Sequence, residues 1–445
     1  MATKNNLSLP GEKPAIAILG AGAVGLSAGY HLKDQGFDID IFEQSAQPGG
    51  LAEGLSLSGG SIDRYYHHIF ATDSDFLQLC RELNLNDQLI FRKTKTGHYL
   101  NGKIHDISSV TQILKTDLLN AWATIRFLAG GAAIKFTPKS LLPKNLAAFK
   151  LSKKFFGKKA ATCIWDPLLR GKFGNHAGTI PSSWLISRIK DRSFKLGYFK
   201  NGFQIFYSRL SEVLSASPEI SIQYNTKITH VGQSANNHKP TINGKPYDLV
   251  ISTLSPFTNE KLLEKHDYTS KPWQSLGAAC AIFELSFKPF NYYWVNLISS
   301  KQEISKNLAA ISYAELDTDW CKENKSYPVY ICRYCDAEEL FQRSQQEWLV
   351  DMKKCLAEII EAETGRQLND SMIISETLSL ASYAQPVISG DQTTELPPFP
   401  EKANHILFGN MHCIYPHDRG QNYAVKLGKD LATQAIQQFK QTPAK

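Results

Sequence analysis

Residues 15–43 contain the feature that most constrains the fold of this chain. A short apolar run is followed by Gly20, Gly22 and Gly25 in G-x-G-x-x-G spacing, then by a helical pattern and an alternating run that ends at Glu43. Gly20 allows a tight turn, Gly22 lets the backbone approach a pyrophosphate, and Gly25 lets the helix pack on the strand. This order predicts a strand–turn–helix–strand unit that binds a dinucleotide, with the Glu43 carboxylate accepting hydrogen bonds from a ribose. A glycine-rich turn without a ligand is the alternative.

A second pair of glycines follows the acid. Residues 47–51 read QPGGL and contain Gly49 and Gly50. Such a pair is not part of a plain NAD site. It resembles the E-x(4)-P-G-G extension of FAD proteins, in which this loop covers the pyrophosphate, and the resemblance implies FAD as the cofactor.

Composition narrows the class of protein. The 445 residues suggest two or three globular lobes, and an apolar content of 42% allows a large core. A net charge of +7 is only moderately basic, which argues against a dedicated nucleic-acid binder. Uninterrupted apolar runs stay short of the roughly 18 residues that a membrane-spanning helix needs, so none is expected.

The eight cysteines are scattered, and no secretory signal precedes the first predicted strand. These observations predict free thiols and a reducing, cytoplasmic location. Cys332 and Cys335 have C-x-x-C spacing, but they lie in a strand-like run with no second pair to complete a zinc site. We therefore predict no metal.

Residues 55–70 predict a hairpin followed by the unusual segment DRYYHHIF. In flavin proteins the segment after this hairpin returns beneath the flavin ring. Adjacent His67 and His68 cannot point the same way on an extended chain, so we expect one to face the flavin and the other the core. Tyr65 and His68 are candidates for orienting substrate or moving a proton. Two structural histidines are the alternative.

Residues 108–162 are rich in Leu, Ala, Phe and Lys and predict a helical cap. Within it, residues 150–159 place five lysines around a Phe-Phe pair. A basic amphipathic segment of this kind is typical of peripheral contact with an anionic membrane. An ordinary cap helix with a solvated lysine face is the alternative.

Further along the chain, Arg188 and Arg192 stand four residues apart in a predicted helix, and such a pair suits a carboxylate or diphosphate of a substrate. An exposed ion-pair face is the alternative. A strand is predicted over 220–231, and its resemblance to the segment by which FAD proteins return to the nucleotide domain implies that the backbone near Ile228 meets the adenine. Another strand ends at Thr253.

The last part of the chain predicts a mixed sheet and a return to the nucleotide site. Aromatic strand patterns between 276 and 335 predict the sheet, on which Tyr293, Trp294 and the later Tyr383 wall the substrate pocket. A short apolar strand then ends at Gly409, and Gly420 precedes an amphipathic helix whose positive end favours an anion. An ordinary strand–helix unit is the alternative.

These motifs together resemble the flavin-containing amine oxidase superfamily, including the protoporphyrinogen oxidase-like and phytoene desaturase-like proteins and UDP-galactopyranose mutase. The resemblance implies an α/β fold in which an FAD-binding Rossmann-like domain of the glutathione-reductase type carries a mixed-sheet substrate domain and a helical cap. It assigns cofactor contacts to Gly20, Ala21, Gly22, Val24, Gly25, Leu26, Glu43, Gln44, Gly49, Gly50, Leu51, His67, His68, Ile228, Thr253, Gly409, Asn410, Asp418, Arg419, Gly420, Gln421, Asn422 and Tyr423.

On the same basis we expect the FAD-binding domain to consist of residues 1–107, 201–258 and 401–445. The cap and the start of the substrate domain would occupy 108–200, and the rest of the substrate domain 259–400.

Two departures from the superfamily pattern shape the functional hypothesis. Its amine oxidases usually carry a lysine near flavin N5, yet residues 279–283 contain none. The segments RYYHHIF and GKFG…IPSSWLISRIKDR resemble UDP-galactopyranose mutase instead.

We therefore predict an FAD-dependent oxidoreductase that dehydrogenates an apolar small molecule, isoprenoid or ring-containing, and passes a hydride to flavin N5. The electron acceptor is left open between oxygen, a quinone and a nicotinamide. A non-redox mutase or isomerase, an amine oxidase and a flavin-binding electron carrier are the alternatives.

Overall fold

The structure, a computed structural model, describes residues 13–100, 102–144, 146–193, 195–234, 238–263, 274–298, 306–390, 401–403, 405–417 and 420–441. Its α-helices are Ala23–Leu32, Ser74–Glu82, Val110–Leu114, Ala121–Phe136, Ala148–Ala160, Asp166–Phe173, Ser182–Asp191, Gln204–Ser215, Pro256–Leu262, Thr318–Asn324, Ala337–Gln342, Gln345–Thr364 and Gln421–Gln441.

Five parallel strands form the sheet, here called the parallel sheet, that contains the predicted glycine turn. Their spatial order is Ile220–Gln223, Asp38–Phe42, Ala15–Leu19, Leu249–Ser252 and Ile406–Phe408, and Glu401–Ala403 adds an antiparallel edge. Because parallel strands all end at the same edge, segments hundreds of residues apart meet beside the turn. The strand ends at Leu19, Phe42, Ser252 and Phe408 therefore lie at one edge of the parallel sheet.

The two faces of the parallel sheet are covered differently. Ile16, Ile18 and Ile41 belong to the same core as Leu26 of the first helix and Leu210 of helix Gln204–Ser215. On the other face, Ala17 and Val250 belong to a core that includes Ile242 and Tyr247. Ile242 belongs to a small antiparallel sheet of strands Gly232–Gln233, Pro240–Ile242 and Lys245–Pro246, and Tyr247 follows its last strand.

A mixed sheet of seven strands forms the second large layer. Its order is Ile373–Val387, Gln274–Leu285, Tyr327–Cys335, Ala309–Ser312, Trp294–Leu297, Thr96–Leu100 and Lys103–Asp106. All neighbours are antiparallel except Trp294–Leu297 and Thr96–Leu100, which are parallel. Helix Gln345–Thr364 shares a core with the face of this sheet that includes Phe283 and Ile331. The predicted mixed sheet is thus present.

The cap is helical, as predicted. Helices Ala121–Phe136 and Ala148–Ala160 pack closely, since a Cβ atom on Gly130 would lie 2.4 Å from the Phe155 carbonyl oxygen. Five π-helical residues, Ala161–Trp165, continue the second helix into Asp166–Phe173. π-helical turns often occur at functional sites, and Trp165 lines the cavity described below.

Smaller strands connect the layers. The predicted hairpin pairs Gly54–Leu57 with Gly60–Asp63, and strand Lys195–Phe199 lies between Ile69–Phe70 and Leu89–Lys93. The strand predicted over 220–231 was too long, because pairing stops at Gln223. Asn225 has φ of +53°, and its N–H donates to the Ser45 carbonyl, which turns the chain toward the second glycine loop.

Candidate functional site

The glycine turn lies at the carboxyl edge of the parallel sheet. Gly20 has φ of +102°, a conformation that favours glycine, and a Cβ atom on Gly25 would lie 1.9 Å from the Gly20 carbonyl oxygen. A Cβ atom on Gly22 would meet nothing nearer than the Gly50 Cα atom at 4.0 Å. The fold therefore requires glycine at positions 20 and 25. At Gly22 the fold itself leaves room for a side chain, so glycine there keeps the space in front of the turn open.

Glu43 is held at the end of the second strand by two backbone amides. Its Oε2 accepts a hydrogen bond from the Ala21 N–H at 2.8 Å, and its Oε1 accepts one from the Ser45 N–H at 2.8 Å. A carboxylate oxygen has a second lone pair, so both oxygens keep acceptor capacity for ribose hydroxyls. The amides fix the carboxylate in the orientation that the predicted role needs.

The second glycine loop packs directly on the first. The Gly49 N–H donates to the Ala21 carbonyl at 3.0 Å, and Gly49 forms an isolated β-bridge with Gly22. Gly49 and Gly50 have φ of +128° and +59°, which favour glycine. The loop therefore lies against the glycine turn, and its predicted contact with a pyrophosphate stays a prediction.

The last helix packs against the first and brings its own amino end to the same place. The Ser27 hydroxyl donates to the Val425 carbonyl at 2.7 Å. A Cβ atom on Gly428 would lie 2.4 Å from the Val24 carbonyl oxygen. This contact positions Gly420 and the amino end of helix Gln421–Gln441 beside the glycine turn.

One predicted cofactor contact in this region needs correction, and two others also have hydrogen-bond partners within the protein. Gly409 does not line the cavity; a Cβ atom there would lie 2.3 Å from Leu431, so the glycine serves helix packing. Asn422 lines the cavity, but its Oδ1 accepts from the Asp75 and Phe76 N–H groups and caps helix Ser74–Glu82. Gln421 also lines it while accepting from the Tyr207 hydroxyl. Asp418 and Arg419 lie outside the described residues.

A cavity of about 1090 Å³ extends from the glycine turn to the mixed sheet. It is lined by every described residue that was predicted to bind cofactor or substrate or to act in catalysis, except Ala21, Gly25, Leu26, Gly409 and Tyr293. Leu26 is buried in the core beside the turn. Thus the parts of the predicted site, which come from both ends and the middle of the chain, do meet in one space.

The segment after the hairpin forms one wall. Tyr65, Tyr66, His67 and His68 all line the cavity. Both histidines lie on this wall, after a bend at Arg64 and Tyr65, and the His67 ring lies 6.1 Å from the ring of the buried Phe203. Tyr293 is not part of the wall: it is buried behind His68, with its hydroxyl 2.8 Å from His68 Nδ1. Tyr293 therefore orients the imidazole instead of touching substrate.

Asp63 anchors this segment to the core. Its Oδ1 accepts from the Phe203 N–H at 2.8 Å, and its carbonyl accepts from the Tyr330 hydroxyl at 2.8 Å. Complete burial raises the pKa of Asp63 to about 7, against the lowering effect of the Phe203 hydrogen bond. Sequence analysis did not identify this residue.

Cationic side chains surround one part of the cavity. The Arg188 guanidinium lies 5.3 Å from the Trp184 ring, and the Lys172 ammonium lies 5.6 Å from the same ring. Arg192 lies 6.0 Å from the Phe70 ring. The predicted shared helical face is incorrect because helix Ser182–Asp191 ends before Arg192, yet both arginines line the cavity.

Aromatic rings also line the cavity. Trp294 contacts Tyr66 edge to face at 5.1 Å, and Tyr383 stacks on Phe257 at 4.7 Å. Phe257, Trp184 and Lys172 were not predicted as site residues; GKFG and SSW were recognised only as part of a longer segment. The described part of strand Gln274–Leu285 presents Ala278, Ala279 and Cys280 to the cavity and no lysine.

His412 is a further ionisable group on the wall that the sequence did not indicate. Burial lowers the pKa of His412 to about 4, so the imidazole is neutral near pH 7. Its Nε2 lies 3.2 Å from the Gln274 carbonyl oxygen. Within the described ranges, no group of three His, Cys, Asp or Glu side chains is placed to hold a metal ion. No helix in that same part of the chain is long and apolar enough to cross a membrane.

Comparison with known proteins agrees with this geometry. The model of the flavin containing amine oxidoreductase family matches residues 24–294. Coproporphyrinogen III oxidase of Staphylococcus aureus is 24% identical over 282 residues, which make up 54% of this chain and 60% of that protein. The chain thus spans about three-fifths of that relative.

Solved structures with different chemistries have similar folds. Reduced UDP-galactopyranose mutase superposes with a TM-score of 0.71 at 14% identity and covers 96% of each chain. Putrescine oxidase bound to putrescine has a TM-score of 0.66 at 13% identity, covering 95% of this chain and 99% of its own. At such identities the likeness shows the fold alone.

Proposed function

Because the chain belongs to the flavin containing amine oxidoreductase family, and so is an FAD-dependent oxidoreductase, we propose that it dehydrogenates an apolar, isoprenoid or ring-containing small molecule. The observation that supports this proposal is the continuous cavity. The cavity is lined by the glycine turn and Glu43 of the parallel sheet, by Trp294 of the mixed sheet with Tyr66 against it, and by the stack of Tyr383 on Phe257. We infer that the parallel sheet is a Rossmann-like FAD-binding domain and the mixed sheet the floor of the substrate domain.

The residues present fit FAD. The bare backbone at Gly22 leaves room for a pyrophosphate, and Glu43 retains acceptor capacity for a ribose. The amino ends of the first and last helices line the same space, and the positive end of a helix dipole favours an anion there. When bound, FAD supplies hydride chemistry at its N5 atom.

The chain's own residues have separate tasks. Glu43 and the two glycine loops orient the nucleotide, and the amino end of helix Gln421–Gln441 stabilises negative charge near the ring. His68, oriented by Tyr293, holds or moves a proton, and Tyr65 lies beside it on the wall. The aromatic side chains Tyr66, Trp294 and Tyr383 exclude water from the substrate. Lys172, Arg188 and Arg192 suit an anionic group, such as a carboxylate or diphosphate, on an otherwise apolar substrate.

Gly22→Ala tests the cofactor site. Gly22 has φ of −80°, and its Cβ atom would have no close neighbour in the protein, so the variant should fold normally. It should purify without the visible absorption of FAD, because the methyl group occupies the pyrophosphate space. A variant as yellow as the wild type would contradict the site. A variant that unfolds at lower temperature than the FAD-free wild type would contradict the claim that Gly22 serves only the ligand.

The substrate class is tested by anaerobic mixing of the oxidised protein with isoprenoids, reduced ring compounds, amines and nucleotide sugars. We expect an isoprenoid or ring compound to bleach the flavin. Bleaching by a plain amine would contradict our proposal and favour amine oxidation.

A non-redox mutase or isomerase is the second candidate. It is favoured by the three cations on the wall and by the segment containing Lys172 and Arg188. The two candidates differ in the product: a mutase needs reduced flavin at the start and returns product and flavin in their starting oxidation states.

We also propose peripheral contact between the cap and an anionic membrane. Residues 110–160 contain nine lysines, one arginine and one aspartate, which is a net charge of +9, whereas the whole chain carries +7. Of the Phe-Phe pair in the basic segment, Phe156 is buried against Phe127 and Trp165. The exposed apolar face belongs to the neighbouring helix instead, where Trp122, Ile125 and Phe136 are 72%, 58% and 84% exposed.

The two cations of this helix hydrogen-bond to neighbouring elements. Arg126 donates to the Lys154 carbonyl, and Lys135 donates to the carbonyls of Ile189 and Lys190. An apolar face flanked by the exposed lysines of helix Ala148–Ala160 matches the interface of an anionic bilayer.

Vesicle co-sedimentation tests the contact. Wild-type protein should bind phosphatidylglycerol-containing vesicles more tightly than pure phosphatidylcholine, and added salt should weaken binding. Trp122→Ser combined with Phe136→Ser should weaken it about tenfold or more, because two aromatic side chains no longer enter the lipid. Phe341→Ser, which removes an aromatic that is 66% exposed on another lobe, is the control. Self-association without lipid that both cap substitutions abolish would contradict the proposal.

A further inference from the structure

Two thiols face each other in the wall of the cavity. Cys280 and Cys332 are buried cysteines in the thiol form whose Sγ atoms lie 3.2 Å apart, and both line the cavity that contains the glycine turn. They are 52 residues apart in sequence. The C-x-x-C spacing in the sequence points to a different partner, Cys335, which is on the opposite face of its strand.

The mixed sheet holds the two thiols in this position. Cys280 is directly opposite Cys332 in an uninterrupted register of nine antiparallel pairs, from Gly277–Cys335 to Leu285–Tyr327. Cross-strand neighbours have Cβ atoms about 4.5–5.5 Å apart, and a disulfide needs about 3.5–4.5 Å. A small approach of the two side chains is therefore enough to form the bond without changing the register.

We propose that Cys280 and Cys332 form a reversible dithiol–disulfide couple in the wall of the FAD cavity. Oxidation breaks two S–H bonds, forms one Sγ–Sγ bond and releases two electrons and two protons. The electron pair passes to oxidised FAD in the same cavity, and the protons pass to the reduced flavin or to solvent. In reverse, reduced FAD returns the pair to the disulfide and the two thiols form again.

Tyr65 connects this couple to the proposed reaction site. Burial raises the pKa of the Tyr65 hydroxyl, and the adjacent Cys280 and Cys332 thiols raise it further, as expected when three acidic groups share one apolar wall. The couple therefore lies next to a residue that the proposed mechanism uses. Its role rests on the proposed FAD site, whereas the cross-link itself depends on the two strands alone.

Mass spectrometry of the full-length holoprotein tests the cross-link. After diamide treatment, denaturation and alkylation, six of the eight cysteines should react, and a disulfide-linked peptide containing Cys280 and Cys332 should appear. Dithiothreitol should restore eight. Cys332→Ser should abolish the linked peptide, and Cys335→Ser, on the same strand but the other face, should retain it. Eight reactive cysteines, or a link between other cysteines, would overturn the proposal.

Anaerobic dithionite titration tests electron exchange with the flavin. The oxidised wild type should take up four electrons per FAD, and Cys332→Ser should take up two. A cross-linked wild type that takes up only two would overturn the exchange with FAD. Protein that cross-links but binds no FAD would contradict the proposed function and leave the thiol pair established, so the two failures are distinguishable.

Discussion

Helices Ala23–Leu32 and Ala121–Phe136 are both built from small apolar residues, but their surroundings differ. The first is enclosed: helix Gln421–Gln441 approaches so closely that Gly428 has no room for a side chain beside Val24. The second packs through Gly130 on one side and exposes Trp122, Ile125 and Phe136 on the other. Small residues in a helix therefore predict close contact with another helix. The exposure of the large apolar residues in the same helix shows whether a further surface covers its other side.

The most severe expected change is Gly25→Ala in the enclosed helix. Its Cβ atom would lie 1.9 Å from a backbone carbonyl that cannot move without opening the turn. We expect destabilisation of about 4 kcal/mol or more, together with loss of FAD. Chemical denaturation measures the effect. Gly22→Ala in the same turn is the control, and equal destabilisation by both variants would show that the contact at Gly25 has no special role.

The enclosed region could be predicted from sequence because its signals are local. The glycine spacing, Glu43 and the second glycine pair lie within about 35 residues, and each fixes a backbone shape that a parallel sheet requires. The C-terminal strand and helix were predicted from the same logic. What their glycines contact was not predictable, which is why Gly409 was assigned to the cofactor although it packs against Leu431.

The substrate side was predicted less well because its contacts are non-local. Cys280 and Cys332 meet only because two distant strands pair in the mixed sheet, and Tyr383 of that sheet stacks on Phe257 of helix Pro256–Leu262. No local pattern encodes that register. In the cap, the lysines of helix Ala148–Ala160 were recognised from sequence, whereas the exposed apolar face of helix Ala121–Phe136 was not, since helical periodicity alone does not say which face the neighbouring helix covers.

The stability of the protein should depend on pH through Asp63, the last residue of the hairpin, which precedes the segment that lines the cavity. Its folded pKa is raised to about 7 from an ordinary value of 3.8, so the folded state holds the proton more tightly. This contribution to stability is complete below the ordinary value and is lost as pH rises through about 7. Asp63→Asn removes it. The free energy of unfolding of the variant relative to wild type should rise across this window by at most about 1.4 kcal/mol per pH unit. A constant difference at all pH values would contradict the raised pKa.

Ser27→Ala sharpens the comparison by removing the hydrogen bond from Ser27 of the first helix to the Val425 carbonyl of the last helix. Ser27 is buried, and the variant leaves the Val425 carbonyl without this donor, so we expect a loss of about 1–2 kcal/mol. Thr433→Ala is the matched control on the last helix. It removes an exposed hydroxyl bond to the Lys429 carbonyl and should cost no more than about 0.5 kcal/mol. Equal losses in thermal or urea unfolding would mean that the Ser27 bond does not hold the helices together.

The smallest effect is expected at two adjacent glycines of the cap helix, where the sign should differ. A Cβ atom on Gly131 would have the Phe156 ring at 3.9 Å as its nearest neighbour, which is ordinary contact. Gly131→Ala should therefore stabilise the protein by about 0.5–1 kcal/mol, because alanine loses less backbone entropy in a helix.

Gly130→Ala should destabilise the protein, because its Cβ atom would lie 2.4 Å from the Phe155 carbonyl oxygen. Urea unfolding of both variants beside wild type measures the difference. If both stabilised the protein, the cap helices would be free to separate, and the cap would lack the close packing found between the first and last helices. Opposite signs would show that the cap is rigid on its inner side, so that its exposed aromatics form a fixed outer surface.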